Sequence, residues 1–333
     1  MKLLLIQTAF IGDVILMTAA LEELHALLPE AQLDVLVRSG TESLFVGHPF
    51  VGQVLVFEKR QSRRRELVRL FKLIRPARYD AVLNFHRFAS TGLLALLSGA
   101  RRTLGFDKNP LSLGFGERVR HRFEGQHEVS RNRDLIRALG VGLLPERPRP
   151  RLYPRPQDYT QAAPPSDPYI CIAPASVWFT KQLPAERWVA FLGQLPEGYH
   201  VQLLGGPNDR DLCHNIAQTC PHLQLQNRAG SLGFLASAAL MQGAQMNYVN
   251  DSAPLHLASA VNAPVAAVFC STVPRFGFTP LSSVSFLIET TEQLSCRPCG
   301  LHGKKSCPKG HFACANIRPE QLLAPLDIPK KGE

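Results

Sequence analysis

The sequence predicts an α/β protein built from two Rossmann-like domains. Three observations carry this prediction. A chain of 333 residues favours two domains, because single cores stop growing beyond about 250–300 residues. In both halves, short apolar segments alternate with segments of helical spacing, the pattern of parallel βαβ units. Between the halves prolines crowd the chain, at Pro145, Pro148, Pro150, Pro154, Pro156, Pro164, Pro165 and Pro168.

The elements follow in order. Leu3–Thr8 reads as a buried first strand. Gln7 ends its apolar run too early for a signal peptide, and no small-residue cleavage site follows. Val14, Met17, Leu21 and Leu24 make one helical stripe over Asp13–Leu27. Gln32–Val37 and Gln53–Phe57 are strands. Ser62–Ile74 is a basic amphipathic helix with Leu67, Leu70, Phe71 and Ile74 on one face. Asp80–Phe85 is a strand and Thr91–Leu97 starts a helix.

Proline continues neither regular element, so residues 151–168 read as an extended, semi-rigid linker between a domain at 1–150 and a second at 169–320. The second domain repeats the alternation. Its strands are Tyr169–Ala173, His200–Leu204, Gln245–Val249 and Pro264–Phe269, and its helices Ala185–Leu195, Asp209–Thr219 and Ser252–Val261. Residues 271–318, rich in Cys, Gly, Pro and His, read as a long loop region. Residues 321–333 form a tail.

Composition narrows the function. Hydrophobic residues make up 45% and charged residues 19%, which is ordinary for a globular protein. No apolar run reaches the roughly 18–20 residues that span a bilayer. A cytosolic protein is expected, with its eight cysteines reduced or metal-bound. The net charge of +10 is uneven. Residues 1–150 carry 23 Lys/Arg against 15 Asp/Glu, and residues 151–333 carry 14 against 12. The N-terminal half therefore suits an anionic partner.

In α/β folds ligands bind outside the carboxyl ends of the strands, and several reactive residues fall there. Asp13 follows the first strand. It suits a helix cap or a general base, with Gly12 leaving room for a substrate. Asn84-Phe85-His86-Arg87 ends another strand on the same rim, where His86 and Arg87 could contact an acceptor. Between Lys59 and Arg78 lies a dense basic run that includes Arg60, Arg63 and Arg64, against one acid, Glu66. Such a run is either a solvated face or a site for phosphates and carboxylates.

In the second half, Ser176, Thr180 and Lys181 lie on the loop before a helix expected near Pro184. Hydroxyls and a lysine there can hold a diphosphate, although a solvated surface lysine is the commoner outcome for such a loop residue taken in isolation. Gly205, Gly206 and Asp209 end a strand in a glycine turn that is not GxGxxG. Asp251, Ser252 and Ala253 open a helix whose free N–H groups favour an anion, with His256 one turn on. Cys296, Cys299, Cys307 and Cys314 are spaced C-x2-C-x7-C-x6-C. Free thiols are the leading reading of this set, ahead of a structural zinc, because the spacing fits no zinc ribbon closely.

Taken together, Ile11-Gly12-Asp13-Val14, Trp178-Phe179-Thr180-Lys181 and Asn250–Ala258 resemble the bacterial ADP-heptose:lipopolysaccharide heptosyltransferases, glycosyltransferase family 9. Phe276–Leu281 looks like their heptosyltransferase II branch. The resemblance runs from Leu3 to about Ile317. It implies the GT-B fold, with an N-terminal acceptor domain and a C-terminal nucleotide-sugar domain facing each other across a cleft. It implies inverting transfer of heptose from ADP-heptose to the lipopolysaccharide inner core, with no cofactor required. Asp13 would be the base. Lys181 and the Asp251-Ser252 turn would hold the diphosphate-sugar, with Ser176, Thr180, Gly205, Gly206, Asp209, Ala253 and His256 completing the donor site. Gly12, Arg60, Arg63, Arg64, His86 and Arg87 would meet the anionic acceptor. A monomer in peripheral contact with the cytoplasmic face of the inner membrane is expected.

Other classes fit less well. A transferase of the same fold with another nucleotide sugar is the nearest rival. A non-enzymatic RNA-binding module would use the basic run, but that run is interleaved only with Phe71 and Tyr79 and no RNA-binding motif appears, so no nucleic-acid partner is expected. A nicotinamide-dependent oxidoreductase lacks its glycine fingerprint in both halves.

Overall fold

The computed structural model describes residues 1–58, 62–123 and 125–327. It divides into two compact units, Met1–Tyr153 and Pro154–Glu333, each an α/β unit around one six-stranded parallel sheet.

In the first unit the elements run β1 (Lys2–Gln7), α1 (Ile11–Leu27), β2 (Gln32–Arg38), β3 (Val51–Phe57), α2 (Arg63–Ile74), β4 (Ala81–Asn84), α3 (Ala89–Leu97), β5 (Arg102–Phe106), β6 (Glu117–Val119) and α4 (Glu128–Leu139). The sheet order is β3-β2-β1-β4-β5-β6. β1 pairs with β2 from Lys2↔Gln32 and with β4 from Leu3↔Ala81. Leu3, Leu4, Leu5 and Ile6 are all fully buried, as expected for a central parallel strand covered on both faces. One face packs on α2 and α3, joining Leu4, Ile6 and Val82 to Leu70, Ile74, Leu94 and Phe115.

α2 keeps most of its predicted inner face, with Leu70 and Ile74 buried, Leu67 packed at the margin and Phe71 half-buried. Glu66 is buried as well. Its carboxylate accepts from Arg69 Nε at 2.8 Å and from the Glu58 N–H at 2.8 Å, so one acid neutralises part of the basic run. Arg63, Arg64 and Arg65 stand exposed in the first turn of α2.

The second unit runs α5 (Pro156–Ala162), β7 (Tyr169–Ala173), α6 (Ala185–Leu192), β8 (His200–Leu203), α7 (Arg210–Thr219), β9 (Gln224–Asn227), α8 (Phe234–Gly243), β10 (Met246–Asn250), α9 (Ala253–Ala260), β11 (Val265–Phe269), β12 (Ser285–Glu289) and α10 (Pro319–Leu323). Its order, β12-β11-β10-β7-β8-β9, repeats the first sheet strand for strand. In each sheet the order reverses beside the unit's first strand, between β1 and β4 and between β7 and β10. Such switch points open a crevice at the carboxyl ends of the strands. Trp188, Phe191, Tyr248 and Val268 anchor the core of this unit.

Two expectations need correction. The proline-rich stretch is not extended throughout, because Pro156 opens α5. In the first turn of a helix the missing N–H costs nothing, and the fixed φ of proline suits the helix. Asp158 supports this start by accepting from the Arg155 N–H at 2.7 Å. Residues 271–318 are not loop alone either. β12 lies among them and pairs in parallel with β11 from Val265↔Ser285 to Phe269↔Glu289. As an edge strand it keeps Ser285 and Leu287 exposed, so it lacks the continuous apolar run that marks the inner strands. β5, β6, α4, β9 and α8 are likewise read from the structure alone.

Candidate functional site

At the first switch point, the chain leaves β1 at Gln7 and enters α1 at Ile11, which sets Gly12 and Asp13 in the first turn. The Asp13 carboxylate accepts from the Phe10 N–H at 3.2 Å, so the capping role is real. It does not settle the carboxylate as an ion. Burial and the nearby negative Glu128 push Asp13 up to about 7, against the opposing pull of the Phe10 amide and Arg87. Among the described residues no ion pair is formed by Asp13.

The residues after β4 face this turn from the neighbouring strand. His86 Nδ1 lies 2.8 Å from Thr8 Oγ1 and links the ends of β4 and β1. Arg87 and Arg131 both place their guanidinium groups 5.1 Å from the ring of Phe123. Arg131 is buried and ion-paired with Glu128 at 2.7 Å. Burial, with the positive Arg87 and Arg131, pushes His121 down to about 4. Phe10 and Phe88 are 54% and 62% exposed. The sequence identified Asp13, His86 and Arg87 but not Glu128, Arg131, His121 or Phe123. Those four act through contacts across the fold, and only the Glu128/Arg131 spacing left a local trace.

Arg63 and Arg64 follow β3, the edge strand of this sheet, and so lie away from the switch point. Arg60 lies outside the described residues.

At the second switch point Lys181 and Asp251 meet. Lys181 ends a short 3-10 turn, Phe179–Lys181, after β7. Asp251 follows β10. The Lys181 ammonium lies 2.8 Å from Asp251 Oδ2, and the Thr272 hydroxyl donates to the same oxygen at 2.6 Å. Asn250 ties the two strand ends together. Its Oδ1 accepts from the Leu183 N–H at 2.9 Å, and its Nδ2 donates to the Pro174 carbonyl at 2.8 Å. Ser252 is the extended N-cap of α9, with Ala253 first in the helix and Pro254 behind it. His256 lies one turn on, almost fully buried, and burial pushes it down to about 4, so it is neutral at pH 7. Its Nδ1 has no hydrogen-bond partner among the described residues. The sequence marked Asn250 only as the start of a motif, with no role of its own, and did not point to Thr272, because their contacts cross 67 and 21 residues of chain.

The other residues expected at a donor site are placed less directly. Ser176 is part-exposed on the loop after β7, and its carbonyl accepts from Gln182 Nε2 at 2.5 Å. The Thr180 hydroxyl does not face open space. It is buried and engaged by Ser271 Oγ at 2.9 Å and by the Lys304 N–H at 2.8 Å. Asp209 Oδ2 accepts from the Gly206 N–H at 2.8 Å and closes the turn after β8. A Cβ on Gly205 would come within 2.7 Å of Asp209 Cβ, so a glycine is needed there.

Cys296, Cys299, Cys307, Cys314 and His311 line one cavity of about 280 Å³. All eight cysteines are free thiols. Among the described residues no group of three or more His, Cys, Asp or Glu is arranged to hold a metal. No helix of the described residues is long and apolar enough to cross a membrane.

Two parallel sheets of identical order, each gathering charged residues at its switch point, make the architecture of the GT-B fold. The ADP-heptose lipopolysaccharide heptosyltransferase II of Escherichia coli shares this fold at TM-score 0.79 and 21% identity, over 98% of this chain and 97% of that one. A family 9 glycosyltransferase from Veillonella parvula shares it at TM-score 0.81 and 19% identity, over 97% and 95%. The sequence profile of glycosyltransferase family 9 (heptosyltransferase) matches residues 67–307, and the chain belongs to that family. Among its relatives, lipopolysaccharide heptosyltransferase 3 of Escherichia coli is 27% identical over 79% of this chain and 82% of its own length. Lipopolysaccharide heptosyltransferase 1 of Pseudomonas aeruginosa is 26% identical over 92% and 87%. Lys181, Asp251 and His256 fall inside the matched region; Asp13 falls before it.

Proposed function

We propose that this enzyme moves heptose from ADP-heptose to the lipopolysaccharide inner core, with inversion at the transferred carbon, at the cytoplasmic face of the inner membrane. The names of its relatives support the substrate class. The observation that carries the reading is the placement of Asp13, in the first turn of α1 at the switch point and without an ion pair among the described residues, where burial pushes its carboxyl up to about 7. A general base works best with a pKa near the working pH.

In this reading an acceptor hydroxyl gives its proton to Asp13. Its oxygen then bonds to the anomeric carbon as the bond from that carbon to the diphosphate breaks, and ADP departs. Negative charge grows on the leaving diphosphate. Lys181 and the backbone N–H of Ala253, the first residue of α9, are fixed donors for that charge. Asp251 holds the lysine ready, and Ser252, Ala253 and His256 line the same turn. Ser176 and the Gly205–Asp209 turn lie at the ends of β7 and β8, where a nucleoside would extend. His86 and Arg87 serve the anionic acceptor beside Asp13. Arg63 and Arg64 serve it further out. The helix dipole disfavours cations in a first turn, so helix stability does not explain the arginines that open α2.

Calorimetric titration with ADP, UDP and GDP, followed by turnover on a heptose-bearing core acceptor, tests the reading. ADP should bind and ADP-heptose should turn over. Binding of UDP or GDP in preference to ADP would replace heptose with another donor.

A further inference from the structure

The cysteine-rich loop has no assigned task, yet it presses on the donor lysine. Gly303 of that loop has φ +73°. A Cβ there would come within 2.8 Å of Lys181 Cγ and within 3.2 Å of both Thr180 Oγ1 and Trp178 Cβ. The backbone of Gly303 therefore lies against the stem of Lys181, in a conformation that side-chain-bearing residues rarely adopt.

The next residue fastens the same segment. The Thr180 N–H donates to the Lys304 carbonyl at 3.1 Å, and the Lys304 N–H donates to Thr180 Oγ1 at 2.8 Å. Thr180 is held from the other side by Ser271. The Ser271 N–H donates to the Thr180 carbonyl at 3.2 Å, and the two hydroxyls are 2.9 Å apart. Ser271 in turn accepts from the Cys299 N–H at 3.0 Å. Arg297 anchors the loop by donating to the carbonyls of Cys270 and Thr272 at 2.6 and 2.8 Å. Residues 178–181 are thus clamped between the chain after β11 and the loop at 297–304.

A lysine stem has several rotatable bonds, and ordering them on binding costs entropy. Asp251 holds only the tip of Lys181. The clamp holds its root.

We propose that Gly303, Lys304 and Thr180 are positioning residues, which hold Lys181 where a nucleoside diphosphate meets it. Thr180 then acts through Lys181 and not as a ligand of the donor. This inference rests on the donor role of Lys181 given above. Its consequence is a task for the cysteine-rich loop: the loop sets donor affinity without touching the donor.

The test is a double-mutant cycle read as the Kd for ADP, with Tm measured on every variant. Gly303→Ala and Thr180→Val should each weaken ADP by about tenfold, part of the loss expected on removing the charge-assisted Lys181 contact itself. Thr180→Ser, which keeps the hydroxyl, should recover most of that loss. In the Lys181→Ala background, Gly303→Ala and Thr180→Val should have no further effect, because residues that act as one unit are not additive. If Gly303→Ala fails to fold, Thr180→Val carries the cycle. Full additivity overturns the clamp, and so do single variants within twofold of wild type while Lys181→Ala weakens ADP. If Lys181→Ala itself leaves ADP binding unchanged, the donor role of Lys181 falls and the clamp falls with it.

Discussion

The two switch points carry the same fold and opposite polarity. In the first unit the acid, Asp13, follows the first strand of the sheet, and the cation, Arg87, follows the strand across the switch. In the second unit the cation, Lys181, follows the first strand and the acid, Asp251, follows the strand across the switch. The second pair closes at 2.8 Å, with Thr272 added at 2.6 Å. The first pair does not close. Arg87 is drawn to the face of Phe123, while burial, followed by the negative charge of Glu128, raises the proton affinity of Asp13. An acid with a direct counter-charge becomes a structural partner. One that is desolvated beside a like charge has its proton affinity raised, as the proposed role of Asp13 as a base requires. Topology sets where the charged residues gather, and their neighbours decide which of them reacts.

Removing the open acid should have the largest effect. Asp13→Ala is expected to lower turnover on the order of 10²–10⁴-fold, the usual contribution of a general base. The Kd for ADP should stay near wild type, because the residues proposed to bind the donor lie in the other unit. Near wild-type turnover in a folded Asp13→Ala enzyme would reduce Asp13 to a helix cap and erase the contrast between the switch points.

Next comes the closed pair. Lys181→Ala should weaken ADP by about 10- to 150-fold, the equivalent of about 1.5–3 kcal/mol for a charge-assisted contact. An unchanged Kd in calorimetry would show that the lysine serves only Asp251.

The pH profile sharpens the comparison with no change to the chain. A base must be ionised, so turnover should fall about tenfold per unit as pH drops below about 7, and level off above it. Stability has the opposite sign. The folded-state pKa of Asp13 lies above its ordinary value of 3.8, so ionisation is disfavoured in the fold. Asp13 should therefore cost stability progressively as pH rises from about 4 to about 7. Asp13→Asn should melt no lower than wild type at pH 8, while losing turnover. A turnover midpoint near 4 would place Asp13 among ordinary exposed carboxylates.

The smallest effect is expected at the edge of the first unit. Replacing Arg63, Arg64 and Arg65 with Gln should raise the KM for the anionic acceptor severalfold and leave that for the nucleotide sugar unchanged. Added salt should mimic the substitution, since exposed charges are screened over roughly 8–10 Å at physiological ionic strength. Weakened donor binding, or acceptor kinetics indifferent to both changes, would return these arginines to a solvated helix face.

Much of the fold was legible in the sequence because parallel strands buried on both faces leave short continuous apolar runs. β1, β7 and β11 announce themselves in this way. α5 was hidden because its first proline reads as a breaker when the helix start is not known. β12 was hidden because an edge strand needs little apolar sequence and its neighbours are rich in turn residues. Of the candidate site, Asp13, Lys181, Asp251 and His256 could be proposed because each lies on the segment that joins a strand end to the following helix or in that helix's first turn.

By itself, then, the sequence determined that two Rossmann-like units exist, which strand ends carry acid or base, and that the first half is the more basic. These are local properties of spacing and composition. Only the tertiary structure decided that Lys181 pairs with Asp251 70 positions on, that Asp13 is left without an ion pair among the described residues, and that Thr180 faces the cysteine-rich loop. The physical reason is range. Charge and hydrogen bonding act over a few ångströms in space, and the groups that meet here are brought together by strand order and not by their distance along the chain.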